Sequence, residues 1–273
     1  MKYALKRLIT GLGVGRETAR PCYSLALAQL LQSFEDLPLC SILQQIQEKY
    51  DLHQVKKAML RPALFANLFG VLALFQSGRL VKQDQEALMK SVKLLQALAQ
   101  YQNHLQEQPR KALVDILSEV SKATLQEILP EVLKADLNII LSSPEQLELF
   151  LLAQQKVPSK LKKLVGSVNL FSDENVPRLV NVLKMAASSV KKDRKLPAIA
   201  LDLLRLALKE DKFPRFWKEV VEQGLLKMQF WPASYLCFRL LGAALPLLTK
   251  EQLHLVMQGD VIHSFFVTKK PTS

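Results

Sequence analysis

Apolar positions recur three and four residues apart along almost the whole chain. Tyr23, Leu27, Leu30, Leu31 and Phe34 form one stripe, and Leu88, Val92, Leu95 and Ala99 form another. Val176, Leu179, Val180, Leu183, Ala187 and Val190 form a third. This spacing places apolar groups on one face of an α-helix and polar groups on the other. Ile199 to Leu208 is apolar nearly all round, interrupted by Asp202 and Arg205, which predicts a central helix covered on both sides. No segment carries a convincing strand or hairpin signal.

The boundaries are marked by prolines and caps. Ser143-Pro144-Glu145-Gln146 and Thr249-Lys250-Glu251-Gln252 have the form of capping boxes, with a hydroxyl positioned to accept from the amide three residues on. Gly224 is placed to close a helix that begins near Pro214, and Pro38, Pro62, Pro109, Pro130, Pro158 and Pro197 punctuate the remainder. The pattern predicts roughly 13 to 15 helices, mostly of about 10 to 20 residues and joined by short turns. Many amphipathic helices with short connections make a compact bundle or a stack of helix pairs. No strict repeat is visible, but irregular pairs of roughly 35 to 45 residues fit an armadillo/HEAT-like array. The expected fold is therefore all-α, an α-solenoid of irregular helix pairs. With no composition break, residues 1–267 are expected to form one helical-repeat domain and residues 268–273 a frayed tail.

Composition supports helices. Apolar residues make up 49% of 273, enough for a sizeable core, and Leu and Ala dominate while Gly is only 9. The three cysteines, Cys22, Cys40 and Cys237, are scattered and odd in number, which argues against a disulfide framework and for an intracellular chain. Met1 to Leu12 reads as a basic amphipathic helix rather than a cleavable signal. The most apolar stretch, Ala63 to Phe75, is too short to span a bilayer and holds Asn67; Tyr235 to Leu248 carries Arg239 and Pro246. Both read as buried helices, and no membrane association is expected.

The net charge of +12 is unevenly spread. Between Lys156 and Lys218 there are 15 Lys and Arg against 6 Asp and Glu, whereas the remainder holds 22 against 19. Such a region attracts nucleic acid or acidic protein segments, or serves simply as a solvated helical face. Lys160, Lys162, Lys163, Lys191, Lys192, Arg194 and Lys195 are the candidate contact residues. The run from Lys191 to Lys195 also fits either a nuclear import signal or an exposed turn.

No catalytic constellation emerges, and neither a cofactor, a metal nor a small-molecule substrate is expected. Gly11, Gly13 and Gly15 invite a phosphate-loop reading, but a helix precedes them and the GxGxG spacing differs from the dinucleotide fingerprint. A turn is favoured over a phosphate contact with Arg16 and Arg20 nearby. His53, His104, His254 and His263 are far apart in sequence, and the pairs Glu35-Asp36 and Asp173-Glu174 lie at predicted helix edges. Leu27, Leu30 and Leu31 match the LxxLL pattern that docks in helix grooves. Leu125, Ile128, Leu129 and Val132 have the spacing of a leucine-rich export signal. Both sets also suit a core-facing stripe, which is the favoured reading.

The N-terminal residues Tyr3-Ala4-Leu5-Lys6-Arg7-Leu8-Ile9-Thr10-Gly11-Leu12, then Arg16-Glu17 and Ala19-Arg20-Pro21-Cys22-Tyr23-Ser24-Leu25-Ala26-Leu27, resemble the opening motif of a known family. Arg61-Pro62-Ala63-Leu64-Phe65-Ala66-Asn67-Leu68-Phe69-Gly70, Phe216-Trp217-Lys218-Glu219 and Arg239-Leu240-Leu241-Gly242 continue the match to about Asp260. The family is that of Myb-binding protein 1A, whose yeast member was once labelled DNA polymerase phi or DNA polymerase V. The resemblance covers an early part of the family's helical region and lacks its acidic stretch and basic tail. Residues from about His263 onward do not resemble the continuation, so a truncated or short form is expected.

The resemblance implies a nuclear and nucleolar scaffold, a transcriptional co-regulator and often a co-repressor, that binds transcription factors such as Myb. It also implies a link to ribosomal RNA gene transcription and ribosome biogenesis, with shuttling to the cytoplasm as a further expectation. A sequence-independent RNA- or DNA-binding module acting on ribosomal DNA or pre-rRNA complexes is the alternative. Family membership does not of itself give polymerase activity, and the chain is expected not to be an enzyme.

Overall fold

A computed structural model describes residues 1–189 and 196–268 of the chain. The fold is all-α, built of irregular helix pairs in the armadillo/HEAT manner, with no strand among the described residues. The chain divides into two compact units, Met1–Val132 and Leu133–Ser273. Among the described residues 15 helices are eight or more residues long, and shorter helical turns carry the total above the roughly 13 to 15 expected. One-turn helices such as Leu80–Gln83, Gln102–Leu105 and Leu137–Ile140 serve as connectors between them.

The first unit holds α1 (Lys2–Gly11), α2 (Arg20–Ser33), α3 (Leu39–Lys49), α4 (Leu60–Gln76), α5 (Gln85–Leu98), α6 (Gln108–Glu119) and α7 (Lys122–Val132). α4 is its centre, packed on α2, α3 and α5. Ala63, Leu64, Ala66, Leu68, Val71, Ala73 and Leu74 of α4 are almost fully buried. Burial of each large aliphatic side chain contributes about 1.5–3 kcal/mol. The helical run is longer than the sequence indicates: with the 3-10 turn before α4, Lys57–Gln76 makes 20 residues, long and apolar enough by composition to cross a membrane, yet more than half of its most apolar window is buried. Its buried Asn67 uses its amide nitrogen there, Nδ2 donating to the Tyr50 and Ala63 carbonyls at 3.0 and 2.8 Å, while Oδ1 finds no partner among the described residues.

α2 lies across α4 with a polar edge that the apolar stripe does not announce. Arg20 and Ser24 are buried beside Leu27, Ala28 and Leu31. Ser24 Oγ donates to the Phe69 carbonyl at 2.9 Å. Arg20 Nε donates to the Val14 carbonyl at 2.9 Å, and its guanidinium sits 4.7 Å from the Phe65 ring centroid. Burial pushes the pKa of this guanidinium down from its ordinary value.

The end of α2 is held by one side chain from the far end of α4. Gly78 adopts φ +79°, reversing the chain so that Arg79 turns inward. Arg79 Nη1 donates to the Leu31 and Phe34 carbonyls at 3.2 and 3.4 Å, and Nη2 donates to those of Glu35 and Leu37, both at 2.8 Å. Carbonyls at a helix C-terminus have no intrahelical partner, and here a planar fork supplies several at once.

The second unit holds α8 (Pro144–Lys156), α9 (Pro158–Val165), α10 (Val176–Ser189), α11 (Ala198–Lys209), α12 (Phe216–Leu225), α13 (Trp231–Ala244), α14 (Lys250–Met257) and α15 (Asp260–Thr268). Thr249 and Gln252 complete the expected reciprocal capping box of α14. At α8, Ser143 Oγ accepts from the Gln146 amide, and the reciprocal bond is not made. α11 packs on α8, α10 and α13, with Ile199, Ala200, Leu203, Leu204 and Ala207 buried. Its cover is incomplete, because Arg205 and Lys209 remain exposed and Asp202 half-buried.

α12 is wound in wide, π-type turns, and its core is aromatic: Phe213, Phe216 and Trp217 are fully buried, with Phe171 edge-on to Phe216 at 5.9 Å. Gly224 does not end this helix. A Cβ there would lie 2.4 Å from Val180 Cγ2, so the glycine permits the close approach of α10, and the chain turns later, at Gln229 with φ +51°.

Replacing Arg79 with Ala removes the donor to the Leu31, Glu35 and Leu37 carbonyls, while that of Phe34 keeps the Leu37 amide, and is expected to lower stability by about 3 kcal/mol. Arg79→Lys recovers only part of that, because one ammonium cannot fork across the loop. Urea unfolding followed by far-UV circular dichroism checks this; an unchanged midpoint for Arg79→Ala would show that water satisfies these carbonyls.

Candidate partner-binding surface

The left-handed residue Gln229 and the extended residue Phe230 bring the chain out of α12 and start α13 at Trp231, with Pro232 in its first turn. Proline is pre-organised for that position, since its φ is helical and the missing N–H is not needed. Trp231, Tyr235 and Arg239 follow at four-residue intervals and so share one face of α13. The opposite face, with Ala233, Leu236, Cys237 and Leu240, is buried. α13 packs along α10.

Between α10, the start of α11 and α13 lies an apolar groove of about 370 Å³. Ala187, Pro197 and Leu236 line its interior, and Phe230, Trp231 and Tyr235 its side. Trp231 is 65% exposed, with its ring centroid 6.2 Å from that of Tyr235. Two cations stand at the rim. Lys184 Nζ lies 5.8 Å from the Phe230 ring centroid, and Arg239 Cζ lies 5.9 Å from that of Tyr235. Neither makes an ion pair among the described residues, unlike Arg178 with Glu174 or Arg215 with Asp173 and Glu219.

The support beneath α13 is closely packed. Cys237 is fully buried, its Sγ 3.7 Å from the Val221 carbonyl, and burial pushes its thiol pKa up to about 12, which removes it as a nucleophile at neutral pH. Glu222 on α12 is buried against Gly259, and burial followed by the nearby charge of Asp260 raises its carboxyl above the ordinary range. The Asp260 amide and the Trp217 indole favour the ionised form, but Trp217 Nε1 and Glu222 Oε1 make no hydrogen bond of normal geometry. Desolvation therefore dominates the shift.

The residues singled out in the sequence fall into three groups. Lys160, Lys162 and Lys163 lie together on α9, with Lys162 and Lys163 exposed and Lys160 half-buried. Lys191, Lys192, Arg194 and Lys195 lie outside the described residues. The leucine motifs lie largely in the core: Leu27 and Leu31 are fully buried with Leu30 half-buried, and Leu125, Ile128, Leu129 and Val132 are all buried. A docking helix needs its leucines free, so the packing itself accounts for both patterns. The glycine motif is likewise structural. A Cβ on Gly11 would lie 2.2 Å from the Tyr23 ring, and one on Gly13 would lie 2.4 Å from that of Tyr50. Arg20, once a candidate phosphate contact, is turned inward. Among the described residues, no group of three His, Cys, Asp or Glu is placed to hold a metal ion.

The groove residues were not singled out in the sequence. Their signal was present in the spacing of Trp231, Tyr235 and Arg239, but the apolar content of the same segment reads first as a buried helix. In the structure that helix has one wet aromatic face.

A family model described as DNA polymerase phi matches residues 3–268. The chain is 98% identical to Myb-binding protein 1A of Homo sapiens over 265 residues, which is 97% of this chain and 20% of that protein. It is 71% identical to Myb-binding protein 1A of Mus musculus over 274 residues, 99% of this chain and 20% of the relative. With the Myb-binding protein 1A-like protein of Danio rerio it shares 50% identity over 270 residues, 97% of this chain and 21% of the relative. The chain thus spans about a fifth of the length of these relatives. No solved structure matches it.

Glu222 gives the surface's support a pH signature. A carboxyl whose pKa is raised by folding favours the native state when protonated, so its contribution is lost as pH rises from the ordinary Glu value of 4.5 through the folded value. Glu222→Gln is expected to be more stable than the parent at neutral pH, with the gap closing below the ordinary Glu range. Thermal melts across pH check this; a variant less stable at pH 7 would mean that the carboxylate is satisfied.

Proposed function

The chain belongs to the DNA polymerase phi family, and on that premise we propose that it is a non-enzymatic interaction scaffold that binds transcription regulators. The observation that carries this reading is the open aromatic groove with a basic rim on a helical-repeat unit. Surfaces of this kind bind partners by shape and charge, without covalent chemistry. The name of the relatives, Myb-binding protein 1A, supports a Myb-type transcription factor as one such partner. Its proposed setting is the nucleus and nucleolus, with export to the cytoplasm as a further step. There it acts as a co-regulator, chiefly a co-repressor, linked to ribosomal RNA gene transcription and ribosome biogenesis. No polymerase step is assigned to this chain.

The three lysines of α9 favour a second reading, a sequence-independent contact with ribosomal DNA or pre-rRNA. Phosphate contacts would make such binding steeply salt-dependent.

Affinity capture from nuclear extract, at low and moderate salt, with and without RNase, separates the two. The scaffold reading expects transcription regulators to stay bound at moderate salt after RNase. Recovery of ribosomal components alone, lost with RNase or salt, would overturn it in favour of the nucleic-acid reading.

A further inference from the structure

We propose that the groove between α10 and α13 is the docking site for a short acidic segment of a partner protein that carries bulky apolar side chains. This rests on the scaffold reading and gives it a place on the molecule. The groove offers about 370 Å³, near the lower end of the roughly 300–1,000 Å³ of ligand clefts. That suits a few inserted side chains of a segment rather than a folded domain. Its interior is aliphatic and aromatic, and Trp231 leaves most of a large apolar ring in water. Aromatic anchors of this kind dominate interface energetics once water is excluded.

Charge selects the occupant. Arg239 lines the groove and Lys184 stands against its Phe230 wall; among the described residues neither has an acidic partner and no carboxylate lines the groove. Carboxylates on the occupant would be their first ion-pair partners, whereas a basic segment would meet two like charges. The same two cations cover the Phe230 and Tyr235 rings. That leaves Trp231 as the groove's exposed ring, a single platform where single-stranded RNA stacks on successive ones, so a peptide is favoured.

The chain reports on its own groove. Of its 2 tryptophans, Trp217 is fully buried and Trp231 is 65% exposed. The probe is a tryptophan-free peptide of about 15 residues, with Asp and Glu on one helical face and Leu and Phe at three- and four-residue spacing on the other. One control replaces its Leu and Phe with Ser; a second replaces its Asp and Glu with Lys; a third is oligouridylate. The full chain is expected to give a saturable blue shift of Trp231 emission with the acidic apolar peptide and a much weaker response to each control.

Lys184→Glu and Arg239→Glu are each expected to weaken binding by about tenfold or more, as is Trp231→Ala, followed by anisotropy of a labelled peptide. All three side chains are exposed, and the buried Trp217 emission verifies folding of each variant. An equal shift with the lysine peptide or oligouridylate would overturn the proposal. So would charge reversals that leave affinity unchanged, or a shift that grows with chain concentration alone, which would make a second copy the occupant. Because the peptide titration needs no nuclear partner, its failure with capture intact removes the groove assignment and the groove's support for the scaffold reading, which then stands on the capture alone.

Discussion

A chain built of helices alone must find a partner for every carbonyl at a buried helix end, and in the first unit that requirement converges on Arg79. Its guanidinium gathers the carbonyls of Leu31, Phe34, Glu35 and Leu37, so the end of α2, the turn after it and the exit from α4 are one hydrogen-bonded structure. α2 and α4 could pack by their apolar stripes alone, but the fork fixes the register in which they do so. The rest of the unit is fitted to that register. Ser24 reaches the Phe69 carbonyl, Arg20 lies over Phe65, and Gly11 and Gly13 carry no side chain where Tyr23 and Tyr50 come close.

The second unit is held together in a different way. α12 winds in wide turns around buried aromatic side chains, and Gly224 admits α10 to within van der Waals contact. The left-handed turn at Gln229 then swings α13 back along α10. One face of α13 is consumed by this packing, and the other, bearing Trp231, Tyr235 and Arg239, is left in water beside Lys184. The groove is thus a by-product of how α12 ends, and a rigid core stands directly behind it. Rigid support of this sort lets an interface keep its shape before a partner arrives.

Much of the fold was legible because the three-to-four spacing is strict: α5, α10 and α14 lie where their stripes and caps place them. The role of Gly224 was not legible, because a helix-ending glycine and a glycine at a close crossing look alike until the crossing helix is known. The buried Arg20 and Arg79 were hidden for the same reason, since an arginine reads as exposed unless its carbonyl partners are in view. Charge counting singles out Lys160, Lys162 and Lys163, which lie together on α9, but it passes over the groove. Leu236 and Leu240 made α13 read as wholly buried, although Trp231, Tyr235 and Arg239 already marked a second face.

Hydrogen–deuterium exchange of the full chain, free and with a captured transcription regulator bound, tests most directly the claim that recognition is carried by this one face. The account predicts that slowed exchange appears around Lys184–Ser188 and Phe230–Arg239, with residues 1–132 unchanged. Slowing confined to residues 1–132, or spread over α9 and absent from α13, would contradict it.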